Sequence, residues 1–139
     1  MTEQAHTTTV GIDHIGLTVL ELEEARRFFC ECLGWEVIGG SPNYPAVFVS
    51  DGHDRITLWQ VQSPVYTQFD RKQNLGLHHL ALKVGDIESL NALFRKVSQW
   101  PGVAVEFAPE PVGKGPKVHF MVAGPGGIRL EFACQPEKG

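Results

Sequence analysis

Apolar and polar residues alternate over 15–19, so Ile15, Leu17 and Val19 share one face of a strand and Gly16 and Thr18 the other. The period then changes. In "ELEEARRFFCECL" (21–33), Leu22, Ala25, Phe28, Phe29 and Leu33 fall on one helical stripe, and Gly34 closes it. Three short extended runs follow, "WEVIGG", "AVFVS" and "RITLWQV", with a turn signal at Asp51-Gly52.

The same order then recurs. "GIDHIGLTV" (11–19) lies over "GLHHLALKV" (76–84) at an offset of 65, matching His14 to His79, Leu17 to Leu82 and Val19 to Val84. In the second copy Asp86 reads as an N-cap with Ser89 in the first turn, and Ile87, Leu90, Leu93, Phe94 and Val97 form the stripe. "WPG" (100–102) ends it, because proline cannot continue a helix. The runs "VAVEFA", "KVHFMVA" and "IRLEFA" complete the copy, with "GPGG" as the last turn.

The chain is thus read as a polar tail over 1–10, a βαβββ module over 11–62, a linker over 63–75, a second module over 76–134 and a short tail over 135–139. One such unit leaves a sheet face open, so two should pair. The linker carries Pro64, Tyr66 and Phe69, and a connection of that length in a small domain is often functional.

Composition narrows the picture. With 139 residues, 42% of them hydrophobic, the chain suits one compact domain or two small ones sharing a core. A net charge of -4 and the lack of any Lys/Arg run argue against nucleic acid. The apolar runs are of strand length, which argues against a membrane span. The start lacks the pattern of an export signal, and Cys30, Cys32 and Cys134 make an odd count. Together these lead to an expectation of a reducing cytoplasm and free thiols.

Alternation also sorts the chemistry. His14 and His79 fall on the face away from the helices, beside the small residues Gly16 and Ala81. His119, Met121, Arg129, Glu131, Thr18 and Lys83 share that kind of face. His78 is expected on the helix side, as a strand-end histidine bonded to nearby backbone. A solvated sheet face would also be polar. Yet two imidazoles and a lone carboxylate, His14, His79 and Glu131, are a donor set for a first-row divalent ion that leaves positions for substrate or water.

The motifs "GIDHIGLTV", "GLHHLALKV" and "GPGGIRLEF", in this order and at module spacing, resemble the vicinal oxygen chelate superfamily. That group includes glyoxalase I, methylmalonyl-CoA epimerase, extradiol dioxygenases, fosfomycin resistance enzymes and bleomycin resistance proteins. The resemblance covers about residues 11–134 and implies an α+β fold. In it, paired βαβββ modules form a cupped mixed sheet around a metal, with the helices outside. It also implies ligands from the first strand of each module and from the last strand, here His14, His79 and Glu131.

A fourth ligand, common on the fourth strand of glyoxalase I and the epimerases, is not evident. An offset of 72 sets Trp59 opposite Glu131, and a slip of two residues sets Thr57 there. Gln60 is turned toward the helices by alternation. Three protein ligands move weight toward the dioxygenases and fosfomycin enzymes. Against the latter, Lys83 and Arg129 are the only nearby basic residues for a phosphonate.

Two functions are therefore weighed. One is a metal-dependent enzyme of lyase, isomerase or dioxygenase type, acting on a small molecule that chelates one divalent ion (iron, manganese, zinc, nickel or cobalt) through adjacent oxygens. In it His119 would be general base, Thr57, Trp59 and Met121 would line the substrate, and Arg129 would hold an anionic substituent or neutralise Glu131. The other is a non-catalytic drug-binding protein of the bleomycin resistance type. In single-chain members of this group the modules pair between chains, so a homodimer with shared sites is expected, His14 coming from one subunit and His79 and Glu131 from the other.

Overall fold

A computed structural model describes residues 7–136. The elements run β1 (Ile15–Val19), α1 (Leu22–Arg27), a π-helical turn (Phe28–Cys32), β2 (Glu36–Ser41), β3 (Ala46–Ser50) and β4 (Arg55–Gln60). Then come β5 (Leu80–Lys83), α2 (Ile87–Val97), β6 (Ala104–Pro111), β7 (Val118–Ala123) and β8 (Arg129–Cys134). Of the expected tails, residues 1–6 and 137–139 lie outside the described residues, while 7–14 form exposed non-regular chain with bends at Thr8 and Gly11.

Each half folds as a four-stranded mixed sheet, ordered β1-β4-β3-β2 and β5-β8-β7-β6. In both, the first strand runs parallel to the fourth and the other pairs are antiparallel. This is the expected α+β fold of two βαβββ modules. Within one chain the two sheets are separate ladders, each backed by its own helix.

The helix faces of both sheets close over one core. Val19, Phe28, Phe29, Ile56 and Leu58 from the first module join Leu90, Phe120, Leu130 and Phe132 from the second, all but out of reach of water. Burial of this much aliphatic and aromatic surface is the main term holding the modules together. Lys96 on α2 reaches across to donate to the Glu31 carbonyl at 3.4 Å.

Two local features depart from a plain reading of the sequence. The first helix does not stay α-helical to Leu33: the Leu33 amide bonds back five residues to Phe28, and the last turn widens. That lets the consecutive pair Phe28 and Phe29 both be buried, at 5.7 Å and nearly perpendicular. At the other end, Glu21 supplies no side-chain cap. Gln60 does the work from β4, accepting from the Leu22 amide at 2.9 Å and donating to the Leu20 carbonyl at 2.6 Å. The second helix is capped as expected, by Asp86 accepting from the Ser89 amide at 2.7 Å.

Candidate functional site

The open faces of the two sheets can be compared position by position, because the ladders share one register. Gly16 pairs with Thr57 as Ala81 pairs with Glu131, and Thr57 pairs with Phe48 as Glu131 pairs with Met121. One step along, Trp59 opposes Ala46 as Ala133 opposes His119. Thr57 is therefore the counterpart of Glu131, and Trp59 is the counterpart of Ala133. The alignment that set Trp59 opposite Glu131 is corrected by the parallel ladder, in favour of the two-residue slip.

The second module gathers the titratable groups. Glu131 sits mid-strand on β8, its side chain only 15% exposed. His119, two positions diagonal to it on β7, brings Nδ1 to 2.5 Å from Glu131 Oε2. His79, just ahead of β5, brings Nε2 to 3.2 Å from Glu131 Oε1. Phe107 tilts against the His119 ring at 4.7 Å, and Met121 lies buried beside Glu131. The carboxylate thus stands between two imidazoles on a largely apolar floor.

Arg129 makes its ion pair with Glu106 rather than with Glu131. Its guanidinium is bidentate on Glu106 of β6, Nε donating to Oε1 at 2.9 Å and Nη2 to Oε2 at 2.6 Å. This holds the Glu106 carboxyl below the usual carboxylate range and raises the Arg129 pKa. The role expected for Arg129, holding an anionic substituent, meets a guanidinium already occupied. Arg71 of the linker comes to 3.8 Å from the same carboxylate.

His78 departs from its expected place. Strand β5 starts only at Leu80, so alternation does not extend back to residue 78. Instead of entering the helix side, His78 is exposed; its Nδ1 lies 2.7 Å from His79 Nδ1 and 3.2 Å from Arg129 Nη1. Its partners are side chains, not backbone. The lost hydration, then the guanidinium, lower its pKa.

The first module presents a different surface. Trp59 packs against Tyr44 at 4.9 Å and Phe48 at 5.8 Å, and its indole N–H donates to Thr57 Oγ1 at 2.9 Å. Gly16 lies beneath: a Cβ there would come to 3.2 Å from Thr57 Oγ1. His14 precedes β1, half exposed, with Nδ1 2.7 Å from Asp13 Oδ2. That contact lowers the Asp13 pKa.

Of the residues predicted from sequence, His79, His119, Glu131 and Met121 are brought together in one chain. Thr57 and Trp59 are neighbours on the other sheet, and the side chain of His14 contacts Asp13. Among the described residues, no group of three or more His, Cys, Asp and Glu side chains is arranged to hold a metal ion. Two donor-type atoms nevertheless lie close together. His79 Nε2 and Glu131 Oε1 are separated by 3.2 Å, a span that two donors at roughly 2.0–2.2 Å from a common ion can bridge. Sequence reasoning missed Glu106, Tyr44 and Phe48. A bulge on β6 between Val105 and Phe107 breaks the alternation that would have placed Glu106.

A cleft of about 700 Å³ runs under the linker, lined by Tyr66, Phe69, Arg71, Glu106, Thr18 and Arg129 among others, with none of the histidines on its wall. No helix among the described residues is long and apolar enough to cross a membrane.

Comparison with known proteins places the fold. The family model described as Glyoxalase/Bleomycin resistance protein/Dioxygenase superfamily matches residues 11–132. No curated protein matched. Among solved structures, a glyoxylase/bleomycin resistance protein/dioxygenase domain from Frankia sp. EAN1pec is similar at 22% identity and a TM-score of 0.78, covering 95% of this chain and 96% of that one. A genomically encoded fosfomycin resistance protein, FosX, from Listeria monocytogenes is 16% identical with a TM-score of 0.71 over 93% and 96% of the chains. A lactoylglutathione lyase from Agrobacterium tumefaciens is 17% identical with a TM-score of 0.69 over 92% and 96%. At these identities the likeness is one of fold.

Proposed function

The chain belongs to the Glyoxalase/Bleomycin resistance protein/Dioxygenase superfamily, and on that premise we propose that it is a divalent-metal-dependent enzyme. Its substrate would be a small molecule offering adjacent oxygens, and its class lyase, isomerase or dioxygenase. The observation that carries the reading is the His79 Nε2 to Glu131 Oε1 pair, 3.2 Å apart, with His119 holding the other carboxylate oxygen. A carboxylate restrained from one side and facing an imidazole on the other is a donor pair prepared in advance.

His14 supplies the third ligand from a second copy of the chain. Support comes from the residues flanking the two histidines. Val10 and Ile12, and their counterparts Leu75 and Leu77, are all exposed and apolar. Apolar side chains at the same positions of both modules, beside the two ligand histidines, are what a two-fold partner would cover. The site is then shared, with Thr57, Trp59 and Phe48 from one chain facing Glu131 and His119 from the other.

When bound, the ion supplies Lewis acidity to the substrate oxygens. The chain's own residues do the rest. Glu131 and the two histidines fix where the substrate oxygens lie. His119 commits its Nδ1–H to Glu131, which leaves Nε2 to take a proton. Trp59, Phe48 and Tyr44 form an apolar wall that keeps water from the reacting atoms. A metal-free binding protein of the bleomycin resistance type is the second reading. It is favoured by Thr57 in the slot equivalent to Glu131, since a threonine is a poor ligand for a divalent ion.

The deciding experiment mixes two variants. His14→Ala and Glu131→Ala should each lose the ion. Subunits exchanged between them give heterodimers in which one of the two sites is intact. Random exchange should restore about a quarter of the wild-type metal content, with turnover in proportion. No restoration, or metal binding that survives both substitutions, sinks the shared site. Tight binding of an apolar ligand by metal-free protein, without turnover of thiol adducts, catechols or 2-oxo acids, moves the case to the binding protein.

A further inference from the structure

We propose that Arg129 and His78 are positioning residues that set the tautomer of His79, placing its proton on Nδ1 and its lone pair on Nε2, toward Glu131. The proposal builds on the reading of His79 and Glu131 as half of a metal site.

The hydrogens can be placed in order from Arg129 through His78 and His79 to Glu131. Arg129 spends two donors on Glu106, which locks the plane of its guanidinium. Its remaining terminal nitrogen, Nη1, lies 3.2 Å from His78 Nδ1. A guanidinium carries donors only, so His78 Nδ1 must be the acceptor there. The same nitrogen is 2.7 Å from His79 Nδ1. A ring nitrogen that accepts from arginine carries no hydrogen of its own. The hydrogen in the short contact between the imidazoles therefore belongs to His79 Nδ1. A neutral imidazole has one N–H, so His79 Nε2 is bare.

That bare nitrogen meets Glu131 Oε1 at 3.2 Å. The other carboxylate oxygen is taken by His119 Nδ1 at 2.5 Å. Two acceptors then face each other with no hydrogen between them. Such a pair is repulsive alone and favourable around a cation, so the relay prepares the half-site for an ion. The doubled histidine in "GLHHLALKV" gains a separate task for each member: His79 presents the lone pair, and His78 decides which nitrogen bears it. The first module has Asp13 in the equivalent position, and its carboxylate lies 2.7 Å from His14 Nδ1. An acceptor against Nδ1 is thus common to both copies, and both leave Nε2 as the free nitrogen.

The test reads the tautomer directly, by long-range nitrogen–proton NMR of the imidazoles in metal-free protein, in alkaline buffer that keeps them neutral. Wild-type His79 should be in the Nδ1–H form. His78→Phe, at an exposed position, removes the acceptor and should move the proton to Nε2, where Glu131 accepts it. Arg129→Met should shift it partway. His78→Asn keeps a carbonyl oxygen as acceptor and should retain the wild-type form. Zinc affinity should fall about 10–100-fold in His78→Phe and be largely restored in His78→Asn. An Nε2–H tautomer in the wild type, or an unchanged one in His78→Phe, overturns the proposal. If the tautomers behave as expected but no variant or wild type binds zinc, the relay stands and the metal reading alone fails.

Discussion

The two modules are the same scaffold carrying different surfaces. Ladder for ladder they share strand order, helix placement and a bulge in the outer strand, although β6 carries a second register shift between Phe107 and Glu110. On the helix side their side chains are interchangeable in kind: Ile56 answers Leu130, Leu58 answers Phe132 and Val49 answers Val122, all buried. On the open side His14 answers His79 and Arg55 answers Arg129, but between them the copies diverge. Thr57 stands for Glu131, Phe48 for Met121, Ala46 for His119 and Ile38 for Glu106. Buried positions are held by packing, which any fitting apolar residue satisfies. Open positions carry no such demand, so one copy holds titratable side chains there and the other aromatic ones.

The largest effects test the side where the copies agree. Ile56→Ala and Leu130→Ala each empty a fully buried position, and each should cost about 2–5 kcal/mol in chemical denaturation. Because one core cluster spans both modules, each variant should still unfold in a single transition seen alike by fluorescence and circular dichroism. A variant that melts one half before the other would break the claim that the modules share a core.

The next effect tests the side where they differ. Thr57→Glu puts a carboxylate in the slot that Glu131 fills in the other copy, with Gly16 beneath it in place of Ala81. Zinc affinity measured by calorimetry should rise about tenfold or more, and one position open to substrate should close. Trp59→Glu should not do this, since its register matches Ala133. If Trp59→Glu tightens binding and Thr57→Glu does not, the superposition of the two ladders is wrong by two residues.

A smaller pair of substitutions exchanges the residues beneath those slots. A Cβ on Gly16 would lie 3.2 Å from Thr57 Oγ1 and 3.6 Å from Trp59 Nε1. Gly16→Ala should therefore disturb the Trp59–Thr57 hydrogen bond and shift the indole N–H resonance of Trp59, while stability changes by no more than about 1 kcal/mol. Ala81→Gly should cost about 0.5–1 kcal/mol and leave Trp59 untouched. An unmoved indole signal in Gly16→Ala would mean that Thr57 gives way without cost.

How far the sequence alone reached follows the same division. Alternation found Ile15, Leu17 and Val19, and the repeat at 65 residues placed both modules, because core positions are periodic and doubled. His119 and Glu131 were also reachable, since strand alternation extends from the core face to the open one, and His79 through the repeat that matches it to His14. What failed were the places where periodicity stops. His78 lies two residues before its strand, so its face was free to differ. Glu106 is hidden by a bulge. The choice between Thr57 and Trp59 depended on a parallel ladder to β1, a contact between strands that no single-strand pattern records. The π-helical turn is invisible for a related reason: Phe28, Phe29 and Cys32 satisfy an α-helical stripe nearly as well.

The smallest effect concerns a pair that one copy has and the other lacks. Glu106 is held below the usual carboxylate range by the Arg129 guanidinium, against a smaller opposing cost of lost hydration, while Ile38 at the equivalent bulge pairs with nothing charged. A carboxyl whose folded-state pKa is lowered contributes stability that is fully present above its unfolded value, near 4.3. That contribution is lost as pH falls through the lowered folded value. Glu106→Gln should therefore lower the melting temperature by a small, constant amount at neutral pH. The gap to wild type should narrow in acid, below about pH 4, as the native carboxyl takes up its proton. The gap should also shrink in salt, because the Glu106 side chain is 34% exposed and the pair is partly screened. Ile38→Glu makes the reciprocal change in the first module, where Arg55 is the counterpart of Arg129. It should recover an acid-labile gain of the same sign. A gap for Glu106→Gln that persists unchanged into acid would mean that Glu106 serves its module by shape and hydrogen bonding rather than by charge.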